Sequence, residues 1–489
     1  MDVSRLVERA VTYAVSHGMV MTAPESCSID NDREDWEKTK MSGSTVVHIP
    51  FSLFPSPLNR EIYRKARELT PVLNRLVYEI SRDHQFLLDT LSEVVQVDEF
   101  TGRLMGIFKS AVVENGNRQV SPIEFGICRF DYFVTEDQTP LLRQVELNTI
   151  AASFGTMSTR ATSLHKFTTK LANRNVELPQ NHLLSELAAA MAFAHDEFVA
   201  TRKGKEDQSV RVIMVVQHGE RNIFDQEGLS ETLMANHAVD CVRMSLEQIS
   251  ELCTVLDDDG HALHVKSGGL GLGVEEFIGS VVYFRAGYSP DDYPEEKCWK
   301  ARELLEQSSA AKCPSVAYQL VGTKKIQQVL DLDGVVERFL PNVEEADLVR
   351  KCFAKQWSMS GESGVEATKL AIANPHGYVL KPQREGGGNN LYEEEMASEL
   401  KRMSATELNA YILMERIRPA MNESILVRNG LYVKGMSVFE LGMFGVYLVK
   451  NGAVLRNSTS GHLLRTKLSA VDDGGVAAGV AVVDSPALI

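Results

Sequence analysis

At 489 residues the chain is long enough for about three domain-sized units. Its 44% hydrophobic and 24% charged residues, without a low-complexity tract, make the balance of an ordinary globular enzyme. A formal charge of −15 argues against a nucleic-acid backbone or an anionic membrane as partner, each of which needs a net basic surface. Small anionic substrates are not excluded, because a local cluster of Arg and Lys in a low-dielectric cleft suffices for them.

The opening MDVSRLVERAVTYAV carries Asp2 and Glu8 and spaces Val3, Leu6, Val7, Ala10, Val11 and Ala14 along one helical face. A secretory signal has a basic start and an unbroken apolar core instead. No uncharged run approaches the length that crosses a bilayer. Seven cysteines (27, 128, 241, 253, 298, 313 and 352) form no CxxC pair and no zinc spacing, so they read as reduced thiols. A cytoplasmic protein is expected, with a plastid location open to a precursor whose transit peptide was trimmed.

Residues 60–83 predict a second helix, with Ile62, Ala66, Leu69, Val72, Leu73, Leu76 and Val77 as its apolar stripe. Two strand-like runs, FGICRFDYFV and LLRQVELN, then flank the turn EDQTP. On the second run, period two sets Glu146 and Asn148 on one face and Leu147 on the other. Two oxygen donors beside the turn with Ser153 and Gly155 suit a divalent cation, although a solvated strand face gives the same pattern.

Between 209 and 288 strands and helices alternate: RVIMVV, a helix around 228–235, CVRMS, SLEQISEL and VVYFRAGY. Alternation of this kind predicts a parallel sheet with crossover helices, an inserted α/β domain. SGGLGLG within it fails GxGxxG and opens no clear helix, so it reads as a surface loop. Beyond 377, YVLKPQ, YILMERI and VFELGMFGVYLV read as strands around the helix EEEMASELKRM. The class is α/β with several domains.

Chemistry concentrates in residues 381–390, KPQREGGGNN. Three successive glycines let backbone N–H groups approach phosphate oxygens. Lys381 ends an apolar strand and can face a phosphate, and Glu385 supplies a hard oxygen of the kind Mg²⁺ takes. A Walker A loop is excluded, because the lysine precedes the glycines. Further basic positions are Lys324 and Lys325 in GTKKIQQ, with Arg465 and Lys467 in GHLLRTK; Lys325 reads as ordinary surface charge. No HExxH, GxSxG or Cys/His signature is present, so phosphate chemistry with Mg²⁺ leads over a side-chain nucleophile.

The string KPQREGGGNNLY, with QVELNTIAASFG, ERNIFDQ, VVYFRAGY, AAKCP, GTKK, ILMERI, ELGMFGVYLV and GHLLRTK…DGGVAAGVAV in that order, resembles the eukaryotic glutathione synthetases over nearly the whole chain. The stretch RNSTSG is similar to their plant branch. The resemblance implies a permuted ATP-grasp fold, a homodimer, and ATP-dependent joining of γ-glutamylcysteine to glycine with Mg²⁺, two ions with ATP. Its portions would be 1–208, an insert at 209–315, and 316–489 with a glycine-rich lid at about 355–435.

By the same resemblance Glu146, Asn148 and Glu385 would hold the metal, and Arg465, Glu385 and Arg129 would be catalytic. ATP would meet Glu146, Lys324, Lys381, Gln383, Arg384, Gly386, Gly387, Gly388, Asn389, Asn390 and Tyr392. It would also meet Met414, Glu415, Arg416, Ile417, Glu440, Lys467 and Asp473. The dipeptide would contact Arg129, Ser153, Glu220, Arg221, Asn222, Gln226, Arg285, Tyr288 and Arg465, with Val476 and Ala477 at its border. Ala286 stands where some members carry Asp, so no side-chain role is expected there. The alternatives are a ligase using β-alanine, and a silent nucleotide-binding scaffold.

Overall fold

The computed structural model describes residues 2–23, 45–114, 116, 120–137, 141–202, 204, 208–268, 270, 276–383, 389–471, 476 and 480–489. Local signals form the helices where the periodicity places them. Asp2 accepts the Ser4 N–H and caps Val3–Ser16, which buries Leu6, Val7, Ala10 and Ala14. Asn59 accepts the N–H groups of Glu61 and Ile62 and starts Arg60–Arg82. Except for Val72, that helix buries its whole expected stripe.

The strands that carry the site belong to a seven-stranded sheet. Leu431–Lys450 is its spine, antiparallel to Ala453–Leu468 on one side and to Ile123–Val134 on the other. Leu142–Asn148 pairs with the outer edge of Ile123–Val134. Asn422–Arg428 pairs both with Leu431–Lys450 and with Phe51–Ser52, which with Val482–Asp484 closes five of the strands into a ring. A barrel closed this way satisfies edges that an open sheet leaves bare.

A six-stranded sheet is built from residues 210–313. Here the sequence expectation needs correction, because the sheet is mixed rather than parallel. Val210–Val215 is parallel to Cys241–Met244 and Glu276–Phe284, and Ala311–Cys313 is parallel to the latter. Ala262–Lys266, however, runs antiparallel to both Cys253–Leu256 and Glu276–Phe284. Only a 3₁₀ turn at Asp257–Asp259 and two further residues join the first two of these strands. A connection that short holds no crossover helix and forces the antiparallel return. Both sheets feed shared apolar cores: Ile213, Val282 and Phe284 lie in one cluster with Phe130, Tyr132 and Leu441. Within SGGLGLG, residues 269 and 271–273 are outside the described residues.

Third comes a small sheet of four antiparallel strands, Gln356–Ser358, Tyr411–Glu415, Tyr378–Pro382 and Leu391–Tyr392. The helices Gly361–Ala373 and Glu393–Arg402 accompany it, and Met359, Leu380, Met396 and Leu413 form a core of its own. Among the described residues no helix is long and apolar enough to cross a membrane.

Candidate active site

Strand register assembles the charged centre. Arg129 lies opposite Asn148, Asp131 opposite Glu146, and Glu440 opposite Arg465. Asp131 is fully buried. It accepts from Arg129 Nε at 2.7 Å, Arg129 Nη2 at 2.8 Å, Asn148 Nδ2 at 2.9 Å and Arg465 Nη2 at 2.9 Å. Gly442 sits against this knot, where a Cβ would meet Asp131 Oδ1 at 2.8 Å and Arg129 Cδ at 3.0 Å. The spine strand therefore has no room for a side chain at that point. Arg465 also donates to Glu440, and Glu146 accepts from Lys324 Nζ at 3.1 Å.

Opposed fields act on these groups. Burial pushes the Glu146 carboxyl up, but Lys324, Arg465, Lys381 and Arg129 outweigh it and hold the group far below the usual carboxylate range. Burial raises Glu440, against Arg465, and the charges of Asp131 and Glu146 add to the rise. Asp131, Glu146 and Glu440 each bring an oxygen within 4.8 Å of the others. Glu146 and Glu440 present hard oxygens of the kind a small divalent cation takes, while those of Asp131 are taken up by Arg129, Asn148 and Arg465. Asn148 spends its amide nitrogen on Asp131 and the Arg129 carbonyl, so the oxygen is the atom it can offer.

Two cavities meet at this centre and share Glu146 and Arg465. The larger, about 490 Å³, lies between the barrel and the small sheet. It brings together Lys324, Lys381, Asn390, Tyr392, Met414, Glu415, Arg416, Ile417, Glu440 and Lys467. Phe133, Val379, Met421 and Val438 add an apolar wall that sequence reading missed. Lys381 donates to the Val145 carbonyl at 2.9 Å, and burial, with Lys324 nearby, lowers its pKa to about 8. Asn390 Nδ2 holds the Tyr392 hydroxyl at 3.2 Å.

Gln383 does not line this cleft. It borders a much smaller cavity with Lys324, Tyr288 and Phe100, and its Oε1 accepts the Lys325 N–H at 2.9 Å. Lys325 in turn is not ordinary surface charge, because it is half-buried with Nζ on Ser358 Oγ at 3.0 Å. Asn389 is exposed and lines neither cavity. Arg384, Glu385, Gly386, Gly387, Gly388, Asp473, Ala477 and Ala478 lie outside the described residues.

The second cavity, about 190 Å³, is lined by Arg129, Asn148, Ser153, Glu220, Asn222, Arg285 and Tyr288. Its floor follows the loop after Leu142–Asn148, where Ala151 and Phe154 take φ of 51° and 70°. Left-handed backbone at two non-glycine residues stores strain that surrounding contacts must hold. Ala286 is buried with its N–H on the Val215 carbonyl, as expected for a position without a side-chain role. Arg221, Gln226 and Val476 are not on this lining. Arg221 Nε donates to the Thr22 carbonyl, Gln226 Oε1 accepts from Arg243, and Val476 is packed in a core.

Sequence reading missed Asp131, Gln217 and Asp225. Asp131 had a signal, since it stands two residues from Arg129 on one strand and shares its face. Asp225 had none, because its partners are 60 and about 70 residues away.

A family model described as eukaryotic glutathione synthase, ATP binding domain, matches residues 1–488. The chain is 38% identical to the chloroplastic glutathione synthetase of Solanum lycopersicum, over all of this chain and 84% of that one. It is also 38% identical to the glutathione synthetase of Homo sapiens, over 99% of this chain and 97% of that one. A similar solved structure is a glutathione synthetase-like effector from Globodera pallida in its apo form. It superposes with a TM-score of 0.74 at 22% identity, over 99% of this chain and 96% of that one, a likeness of fold alone.

Proposed function

Because this chain belongs to the eukaryotic glutathione synthase family, we infer that it is an ATP-dependent ligase that joins γ-glutamylcysteine to glycine, giving glutathione, ADP and phosphate. The observation that carries the reading is the seam between the two cavities. Glu146 and Arg465 border both, so a nucleotide in the larger and a peptide carboxylate in the smaller would meet at the same charges.

A carboxylate does not condense with an amine in water at useful rates, so it must first be activated. The γ-phosphoryl of ATP passes to the cysteine carboxylate, and ADP leaves. The glycine amine attacks the acyl phosphate, and the tetrahedral adduct collapses to the amide with loss of phosphate. Positioning and charge stabilisation are the protein's share. Arg465, held between Asp131 and Glu440, faces the transferred phosphoryl and the developing oxyanion. Arg129 borders the peptide side, and Lys324 and Lys381 hold the phosphates from the other.

Glu146, Asn148 and Glu385, with Glu440 and Asp131 close by, would hold Mg²⁺, two ions with ATP, which neutralises phosphate charge when bound. The apolar wall of the larger cleft suits a purine ring, and the strand 411–415 edge with Arg416 and Ile417 suits its polar rim. The small sheet with its separate core supports a lid over about 355–435 in a permuted ATP-grasp arrangement, with 209–315 as the insert. Lid closure would keep water from the acyl phosphate. Family resemblance supports a homodimer in a reducing, cytoplasm-like compartment.

The test is ADP production with ATP, γ-glutamylcysteine and a panel of small amino acids. Glycine-dependent ADP and glutathione are expected. ADP release that needs no amine would make the protein a kinase, and no release at all would make it a scaffold. A preference for β-alanine would shift the product to homoglutathione; neither alternative is favoured by the relatives.

A further inference from the structure

Arg285 is almost fully buried on the smaller cavity, and its Nε has no hydrogen-bond partner among the described residues. Its Nη2 is held by Asp225 Oδ2 at 3.0 Å, in a pair with side-chain exposures of 4% and 1%. Asp225 does more than neutralise the arginine. The same Oδ2 accepts the Phe154 N–H at 2.9 Å, and Oδ1 accepts the N–H groups of Thr156 at 2.9 Å and Met157 at 3.2 Å.

These are the first amides of the helix Gly155–Leu171, whose N-cap Phe154 lies in the left-handed region and offers no side-chain cap. A carboxylate from another helix thus does the capping. Thr156 returns the contact by donating to the Asp225 carbonyl at 2.8 Å. The two helices touch at Gly228, where a Cβ would meet Thr156 Cγ2 at 2.5 Å. One buried carboxylate therefore ties three segments that border the cavity: the strained loop with Ser153, the start of Ile223–His237 after Asn222, and Arg285.

We propose that Asp225 is a positioning residue for the peptide pocket, fixing Arg285 and the 151–154 loop in the one geometry that binds a carboxylate of the dipeptide. The proposal rests on the ligase reading for the identity of that peptide. Asp225 touches no cleft on the nucleotide side, so its removal acts on one substrate only. A buried arginine released from the carboxylate that holds its Nη2 turns away from its task, and the left-handed loop relaxes with it.

Asn in place of Asp keeps an oxygen for the helix amides but loses the charge that holds Arg285. Steady-state kinetics of D225N, R285K and the double variant separate the two roles, with thermal melting recorded for each. D225N should raise the γ-glutamylcysteine KM about tenfold and leave the ATP KM within about twofold. R285K, which leaves the cap intact, should raise the dipeptide KM similarly, and the double variant should be no worse than the poorer single one. An unchanged dipeptide KM in R285K overturns the proposal, even if D225N is too unstable to assay. So do equal rises in both KM values, fully additive effects, or a D225N that melts earlier with both KM values unchanged. Failure of the ligase reading looks different: the unmodified protein would then release no ADP in response to γ-glutamylcysteine and glycine.

Discussion

The two cavities that meet at Glu146 and Arg465 differ in how completely their cations are paired with carboxylates. In the smaller one each arginine is locked to a carboxylate, Arg129 by a fork on Asp131 and Arg285 by Asp225. In the larger one Lys324 is likewise paired, with Glu146, but Lys381 rests on a backbone carbonyl, its pKa lowered to about 8. A guanidinium fixed by a buried carboxylate is preorganised and cannot lose its proton, whereas a lysine on a carbonyl can swing and titrate. The peptide side is thus built for fixed recognition. The nucleotide side is built for a ligand that brings its own charge and cation.

The largest break in that contrast should come at the shared seam. Glu146→Ala removes an oxygen donor and leaves Lys324 without its carboxylate, so kcat should fall by about three orders of magnitude, within the range for loss of a charge-organising group. Steady-state turnover at saturating Mg²⁺ measures it, and Glu385→Ala should behave alike. Near-normal turnover in either would remove that residue from the metal set.

Next in size is the acceptor. By the resemblance to the family, an alanine pair such as Ala477 and Ala478 is expected to go with glycine as acceptor, and a Leu-Pro pair in the same loop with β-alanine. One methylene is worth about 1–3 kcal/mol in such discrimination, or roughly 10–200-fold. Competing both amines should give glutathione in that excess, and Ala477→Leu with Ala478→Pro should erase it. Mostly homoglutathione from the unmodified protein would reverse the assignment.

Arg465→Lys sharpens the comparison at the point where the cavities join. Lysine keeps the charge but cannot bridge Asp131 and Glu440 as the guanidinium does. One lost charge-assisted contact is worth about 1.5–3 kcal/mol, so kcat should drop by roughly 10–150-fold, with both KM values changed less. A fall confined to KM would place Arg465 in binding alone.

Smallest is a pH effect confined to one side. Lys381 is lowered from 10.5 to about 8. The fold favours its neutral form, so the cost of burying the charge is present in full below about pH 8 and is relieved as pH rises toward 10.5. Phosphate binding needs the charged form, so kcat/KM for ATP should decline a few-fold as pH passes above about 8. With ATP saturating, the dipeptide side should stay flat through the same range, because arginines do not titrate there. A parallel decline on both sides would mean that the two cavities share one titrating group.

The chain by itself determined whatever repeats within a few residues. Period 3.6 set the buried stripes of Val3–Ser16 and Arg60–Arg82, and period two put Glu146 beside Asn148 and Arg465 beside Lys467. Ordered motifs gave the family and most of the nucleotide cleft, since KPQ and ILMERI each run along a strand and just past its end, and GHLLRTK lies within one. Tertiary structure alone decided which of these faces meet. Register between Leu431–Lys450 and its neighbours placed Glu440 against Arg465 and left room at Gly442 for Asp131. Helix packing 60 or more residues away brought Asp225 to Arg285 and to the amides after Phe154. Antiparallel return of Ala262–Lys266 was hidden for the same reason, because strand direction is fixed only by pairing with Cys253–Leu256 and Glu276–Phe284. Local periodicity says which way a side chain faces, but register, strand direction and helix contact are set by long-range burial, and no short window of sequence contains that.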